Sequence, residues 1–135
     1  MWNFSNDRPV YVQIMDEIKT RIVSGRYKPG ERIPSVRDLA EEARVNPNTM
    51  QKALSEIERD GYIISLRTSG KYVTDDAGII EDLKASRAKS VVRRFAEEMT
   101  NMGISMDDTI TMLQQFCAAE QNNERGNDSD TNQGE

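Results

Sequence analysis

No histidine occurs in the 135 residues, and there is one cysteine, Cys117. A structural zinc site takes about four Cys or His ligands. Triad-type nucleophilic catalysis needs a base beside its nucleophile, usually His. No metal site, no cofactor and no enzymatic activity are therefore expected. A lone cysteine closes no disulfide within the chain, which excludes a disulfide-stapled secreted scaffold. Aromatic residues make up only 6% of the chain, and no apolar run approaches the roughly 18 residues that span a membrane. Met1 to Val10 has neither the apolar core nor the basic flank of a signal peptide. These absences predict a cytoplasmic protein with one compact domain and a small appendage, since this length does not hold two full-sized domains. Asp75-Asp76 and Asp107-Asp108 are the only tempting carboxylate pairs. Adjacent residues do not converge on one site, however, and Asp108 fits a helix cap.

What is present is unevenly charged. The whole chain has a net charge of −5. Residues 1–75 carry 12 Lys and Arg against 11 Asp and Glu, a net +1, whereas residues 76–135 carry 6 against 12, a net −6. Asymmetry of this kind has to be followed locally. Residues 120–135 alone hold one cation and five acids, a net −4, and contain no large apolar residue. That stretch is expected to be a disordered acidic tail that lowers non-specific affinity for polyanions.

The front of the chain has a helical period from Pro9 to Ser24, where Ile14, Ile18 and Ile22 recur one turn apart. Pro9 suits a first helical position and Gly25 a stop. Tyr27-Lys28-Pro29-Gly30 is a turn signal, and Glu31-Arg32-Ile33 before Pro34 reads as a short extended piece. Ser35 to Ala43 predicts a short helix capped by Ser35, with Asp38 three residues on. After a brief break at Arg44-Val45, Asn46 caps a third helix with Pro47 in its first position. Met50, Ala53, Leu54 and Ile57 form its apolar stripe, and Gly61 ends it. The period then changes. Residues 62–66 and 71–74 are β-rich and Thr68-Ser69-Gly70 is turn material, which predicts a hairpin. Two helices around a tight turn, followed by a hairpin, make a winged helix-turn-helix over residues 1–76.

A helix fits the major groove of B-form DNA, and its first turn presents side chains to base edges and phosphates. Asn48, Thr49, Gln51 and Lys52 lie in the first two turns of the third helix, off its apolar stripe. Asn and Gln can bond two edges of adenine. Arg37, in the first turn of the preceding helix, is placed to grip the backbone or a guanine. At the hairpin tip, Arg67, Ser69, Gly70 and Lys71 can reach an adjacent groove. Each cation also has an ordinary reading. Arg37 with Glu41, and Lys52 with Glu56, stand four apart and could be surface ion pairs. Arg26, Lys28 and Arg32 read as solvated charges.

Three stretches resemble the GntR family of bacterial transcription regulators: Pro9-Val10-Tyr11-Val12-Gln13-Ile14, then Gly25 to Ala40 with Pro34-Ser35-Val36-Arg37 at its centre, then Val45-Asn46-Pro47-Asn48-Thr49. The short rear section is similar to that of the small YtrA-like subfamily. The resemblance implies a sequence-specific DNA-binding regulator, usually a repressor. It also implies control of a transporter operon, with no effector identified. Family contact positions fall on Arg37, Asn46, Asn48, Thr49, Gln51 and Gly70. Pro47 and Gln51 stand where several relatives have arginine, and Thr68 where a first wing glycine is common, so base preference is expected to differ.

Behind Asp75-Asp76-Ala77-Gly78, a long helix is expected over Ile80–Met102 and a last one from Ser105 through Cys117, giving a two-helix region over residues 77–119. Leu83, Val91, Val92, Phe95, Met99 and Met102 mark one face of the first, and Ile110, Leu113 and Phe116 one face of the second. Cys117 on that face is expected to be a small buried apolar residue. Two such helices cannot bury both faces alone, so these nine residues are expected to form a homodimer interface that presents two heads to an inverted repeat. The competing reading is a winged-helix module that binds protein and not DNA.

Overall fold

The computed structural model describes residues 2–67 and 69–133, apart from the side chains of 126–133. Its elements are α1 (Val10–Val23), α2 (Val36–Ala43), α3 (Pro47–Arg59), β1 (Ile63–Leu66), β2 (Gly70–Val73), α4 (Ala77–Asn101) and α5 (Met106–Gln133). The architecture is mainly helical with a single two-stranded antiparallel sheet among the described residues. The chain divides into two compact units, residues 1–87 and 88–135.

In the first unit, the one-turn spacing of Ile14, Ile18 and Ile22 places all three in the core. Pro9 stands just outside α1 in an extended conformation, and its carbonyl accepts from the N–H of Val12 and of Gln13. The helix thus begins one residue later than the proline suggests. α1 packs on α3, and α3 also packs on α2 and β1. Met50, Ala53, Leu54 and Ile57 carry the α3 side of that core with no exposed surface.

The tight turn is built from caps at both ends. Ser35 Oγ accepts from the Asp38 N–H at 3.1 Å and starts α2. Arg44 ends it in the left-handed region, at φ 58° and ψ 48°. The next N–H, from Val45, reaches back to the Ala40 carbonyl at 3.0 Å, which closes a Schellman-like stop. Asn46 Oδ1 then accepts from the Asn48 N–H at 2.8 Å, and Pro47 supplies the preset angle of the first helical residue.

β1 and β2 pair in the register Ile63↔Val73, Ile64↔Tyr72, Ser65↔Lys71 and Leu66↔Gly70. Ile63 and Val73 bury their side chains, while Ile64 and Leu66 stay exposed. A third extended piece joins this wing: Arg32 bridges Tyr72 in antiparallel fashion. Ahead of α1, Trp2 and Phe4 lie against the core. Buried Arg21 ties this segment to α2. It donates to Glu17, to Glu42 and to the Tyr27 hydroxyl, and its guanidinium stacks 4.7 Å from the centre of the Trp2 ring.

The unit boundary falls at 87, where the sequence suggested a linker at 75–78. The first turns of α4 belong to the first unit because Ile80 and Leu83 are buried and Arg87 donates to Asp16 and to Thr20 Oγ1. In the second unit, Gly103 (φ 79°) ends α4. Ser105 Oγ caps α5 through the Asp108 N–H at 3.1 Å, and Met99 and Thr109 are buried. α5 runs to Gln133, past the expected end near Cys117 and into the stretch read as a disordered tail. Between Ala118 and Arg125 there is no Gly or Pro to stop a helix, and Ala, Glu and Gln favour one. A second correction concerns Cys117, which is exposed, not buried, because the face of α5 that carries it is uncovered within the chain.

Candidate nucleic-acid interface

α3 starts as a helix that could face a polyanion. Its first acidic residue is Glu56, in the third turn, so no carboxylate opposes an anion at the positive end of the helix. Asn46, Asn48, Gln51 and Lys52 are exposed there and Thr49 is half-buried. Met50, the next residue, anchors the same turn in the core, so the polar positions are held by packing one residue away. Gln51 Nε2 donates to Ser55 Oγ at 2.9 Å. Lys52 does not pair with Glu56. Its ammonium sits 4.0 Å from the centre of the Tyr11 ring, while Glu56 takes Arg59. Cation–π contact holds the lysine stem in place yet leaves its charge uncompensated. Arg37 is 86% exposed, and its Nε lies 3.9 Å from Glu41. An exposed pair at that distance contributes little, so the guanidinium remains free to take another anion.

The wing holds its residues differently. Arg67 and Gly70 are exposed, and Ser69 is half-buried with its carbonyl accepting from the Tyr72 hydroxyl at 3.3 Å. Lys71 is committed elsewhere. Its side chain is only 17% exposed and donates to Glu58 Oε2 at 3.1 Å and to Ser65 Oγ at 2.9 Å. A hydrogen bond from Ser65, together with the Lys71 ammonium, holds the Glu58 carboxyl below its ordinary range against the opposing effect of burial. Lys71 therefore ties β2 to α3 and is neutralised there. Thr68, which departs from the family pattern, lies outside the described residues.

Arg32 is the residue that sequence reasoning passed over. It is exposed, as expected of a solvated charge, and its guanidinium lies against Gly70 at the wing tip. The extended Glu31-Arg32-Ile33 piece was legible, but its pairing with β2 is non-local and left no mark in the sequence.

In the second unit, Val91, Val92, Phe95, Met102, Ile110, Leu113 and Phe116 are each 40–66% exposed. Phe95, Met99, Met112, Leu113 and Phe116 line one apolar cleft. Met99 is buried in this unit and Leu83 in the first one, so both offer little area to a partner. Among the described residues, no three of His, Cys, Asp and Glu cluster as metal ligands. No described helix is long and apolar enough to cross a membrane.

Comparison with known proteins agrees with this geometry. The model of bacterial regulatory proteins of the gntR family matches residues 10–73, the span from α1 through β2. The HTH-type transcriptional repressor YtrA of Bacillus subtilis (strain 168) is 45% identical over 111 residues, 82% of this chain and 85% of its own. The structure of a GntR family transcriptional regulator from Listeria monocytogenes is similar with a TM-score of 0.78 at 38% identity, covering 83% of this chain and 98% of that one. The AraR DNA-binding domain, solved in complex with operator ORX1, is similar with a TM-score of 0.50 at 26% identity, covering 53% of this chain and 93% of that one.

Proposed function

The chain belongs to the gntR family of bacterial regulatory proteins, and from that premise we propose that it is a sequence-specific repressor binding an inverted-repeat operator as a homodimer. The observation that carries the reading is the start of α3: a capped helix N-terminus, free of acid for two turns, whose exposed side chains are Asn46, Asn48, Gln51 and Lys52. Thr49 joins them, and Arg37 flanks them with a guanidinium that is only loosely paired. Asn and Gln read adenine edges in the major groove, Thr contacts phosphate or a thymine methyl, and Arg37 and Lys52 supply charge.

The uncovered apolar face of the second unit supports the homodimer. Half-exposed Val, Phe, Met, Ile and Leu side chains on α4 and α5 stand to gain from a self-complementary partner surface. Two heads set one DNA turn or a multiple apart then match a palindromic site. Occupying a promoter blocks the polymerase. Control of a transporter operon follows from the subfamily resemblance alone.

Selection of bound duplexes from a random pool, run at two salt concentrations with the full chain, tests the reading. Enrichment of an inverted repeat, with affinity falling steeply as salt rises, is expected. A pool that shows no enrichment would refute DNA recognition and favour a protein-binding module.

A further inference from the structure

The wing carries a cation that does not belong to the hairpin. The segment from Gly30 to Ile33 lies along β2 through three backbone bonds: Gly30 N–H to the Val73 carbonyl at 3.0 Å, Val73 N–H to the Glu31 carbonyl at 2.9 Å, and Ile33 N–H to the Lys71 carbonyl at 3.0 Å. Arg32 sits at the centre of that pairing, opposite Tyr72. Its guanidinium lies across the bare α-carbon of Gly70. A Cβ added there would stand 3.1 Å from Nε, 3.3 Å from Nη2 and 3.6 Å from Cζ. Nε and Nη2 both stand nearer than Cζ, so the group turns its Nε–Nη2 edge to the glycine. Gly70 has φ +104°, so glycine supplies both the backbone conformation and the room.

Charge makes the arrangement informative. Arg32 is exposed, and no carboxylate among the described residues pairs with it. The neighbouring Glu31 carboxylate instead accepts from the Lys28 N–H at 2.7 Å. Lys71, the cation within β2, is already held by Glu58. The tip thus presents a guanidinium on a rigid three-segment support, while the nearby ammonium is compensated. A guanidinium is planar and weakly hydrated, so it gives up water more readily than an ammonium in a confined site. Such a group suits a narrow minor groove, where the walls concentrate negative potential, and A·T-rich tracts have the narrowest grooves.

We infer that Arg32 enters the minor groove beside the major groove read by α3, and that it confers a preference for A·T-rich sequence flanking each half-site. The inference rests on the DNA-binding reading above and extends it to a residue outside the helix-turn-helix. Gly70 acts as the seat of this side chain more than as a contact in its own right, and Lys71 acts as a strut.

The test compares wild type with Arg32→Ala, Arg32→Lys and Lys71→Ala. Each full-length chain is put through selection from a random duplex pool, then titrated against the wild-type-selected duplex at several salt concentrations. Arg32 is exposed and its backbone bonds survive substitution, so an unchanged melting temperature checks the fold. Wild type should enrich an inverted repeat with A·T-rich flanks. Arg32→Ala should enrich the same central repeat without the flanking preference, bind about tenfold more weakly, and show a salt slope shallower by about one for each head. Arg32→Lys should restore most of the salt slope but only part of the flanking preference. Lys71→Ala should keep both. Identical flanks and slope for Arg32→Ala overturn the inference while leaving DNA recognition intact. An empty wild-type selection overturns the DNA-binding reading and this inference with it.

Discussion

Replacing Phe116 by alanine should weaken the proposed homodimer by a calculable amount without disturbing the winged domain. Phe116 lies on α5 and is 62% exposed within the chain. Complete burial of such a side chain stabilises by about 1.5–3 kcal/mol, so the uncovered part is worth about 1.5 kcal/mol if a partner covers all of it. A twofold interface contains the residue twice, which doubles the loss to about 3 kcal/mol. At about 1.4 kcal/mol per factor of ten, the dimer dissociation constant rises about a hundredfold, or about tenfold if only half of the surface is covered. Sedimentation velocity over a concentration series reads that constant directly. Helix content by circular dichroism should not change, because the side chain makes few contacts within its own protomer. A variant with the wild-type dissociation constant removes this face from the interface. A wild type that stays monomeric at tens of micromolar removes the homodimer altogether.

Two further outcomes follow from local geometry. Arg44 is the only non-glycine residue among those described with a positive φ. The left-handed conformation costs a side-chain-bearing residue about 1–2 kcal/mol, which outweighs the extra chain entropy that glycine loses on folding. Arg44→Gly should therefore stabilise the first unit by about 0.5–1 kcal/mol in chemical denaturation; a destabilised variant would show that Arg44 makes contacts outweighing its backbone strain. For Glu58, the pKa in the folded state lies below the unfolded value. Its stabilising contribution is hence present above the unfolded pKa and lost as pH falls through the folded one. Wild type should melt slightly above Glu58→Gln at neutral pH, by an amount typical of a partly exposed pair, about 0.5 kcal/mol. The two melting temperatures should converge below the usual carboxylate range, and a gap that persists in acid contradicts the assignment. At neutral pH the same substitution frees Lys71, so the salt slope for DNA should steepen.

Much of the fold was legible because its signals are local. Ile14, Ile18 and Ile22 repeat at one helical turn, Ser35 and Asn46 announce helix starts, and the change of period after Gly61 marks the wing. Each concerns residues within a few positions of one another, where backbone geometry alone relates spacing to structure. The exposure of the candidate contact residues was legible to the same depth. Residues at the start of α3 are exposed because the stripe of Met50, Ala53, Leu54 and Ile57 claims the other face.

The sequence was a poorer guide where charge partners come from afar. Spacing alone offered Lys52 a pair with Glu56, whereas its ammonium lies on the Tyr11 ring of α1, 41 positions away. Lys71, expected to reach an adjacent groove from the hairpin tip, is held by Glu58 of α3. Arg32 is exposed, as a solvated charge should be, but its placement against Gly70 comes from a distant segment. Which cation is neutralised and which is available depends on contacts across elements, and coulombic energy depends on distance in space, not along the chain. α5 continues to Gln133 through the polar stretch expected to be disordered; the absence of Gly and Pro accounts for it only as far as Arg125, and nothing in the structure explains the remainder.

By itself, then, the sequence determined the helical periods, the caps, the hairpin and the absence of histidine chemistry, since each follows from residue type and near-neighbour spacing. Only the tertiary structure decided that Arg32 joins Arg67 as an exposed charge at the wing while Lys71 is held by Glu58, and that α4 belongs to the first unit as far as Arg87. It also left the face bearing Phe116 and Cys117 uncovered. Those outcomes depend on which distant groups come within a few ångströms of one another, and packing sets that.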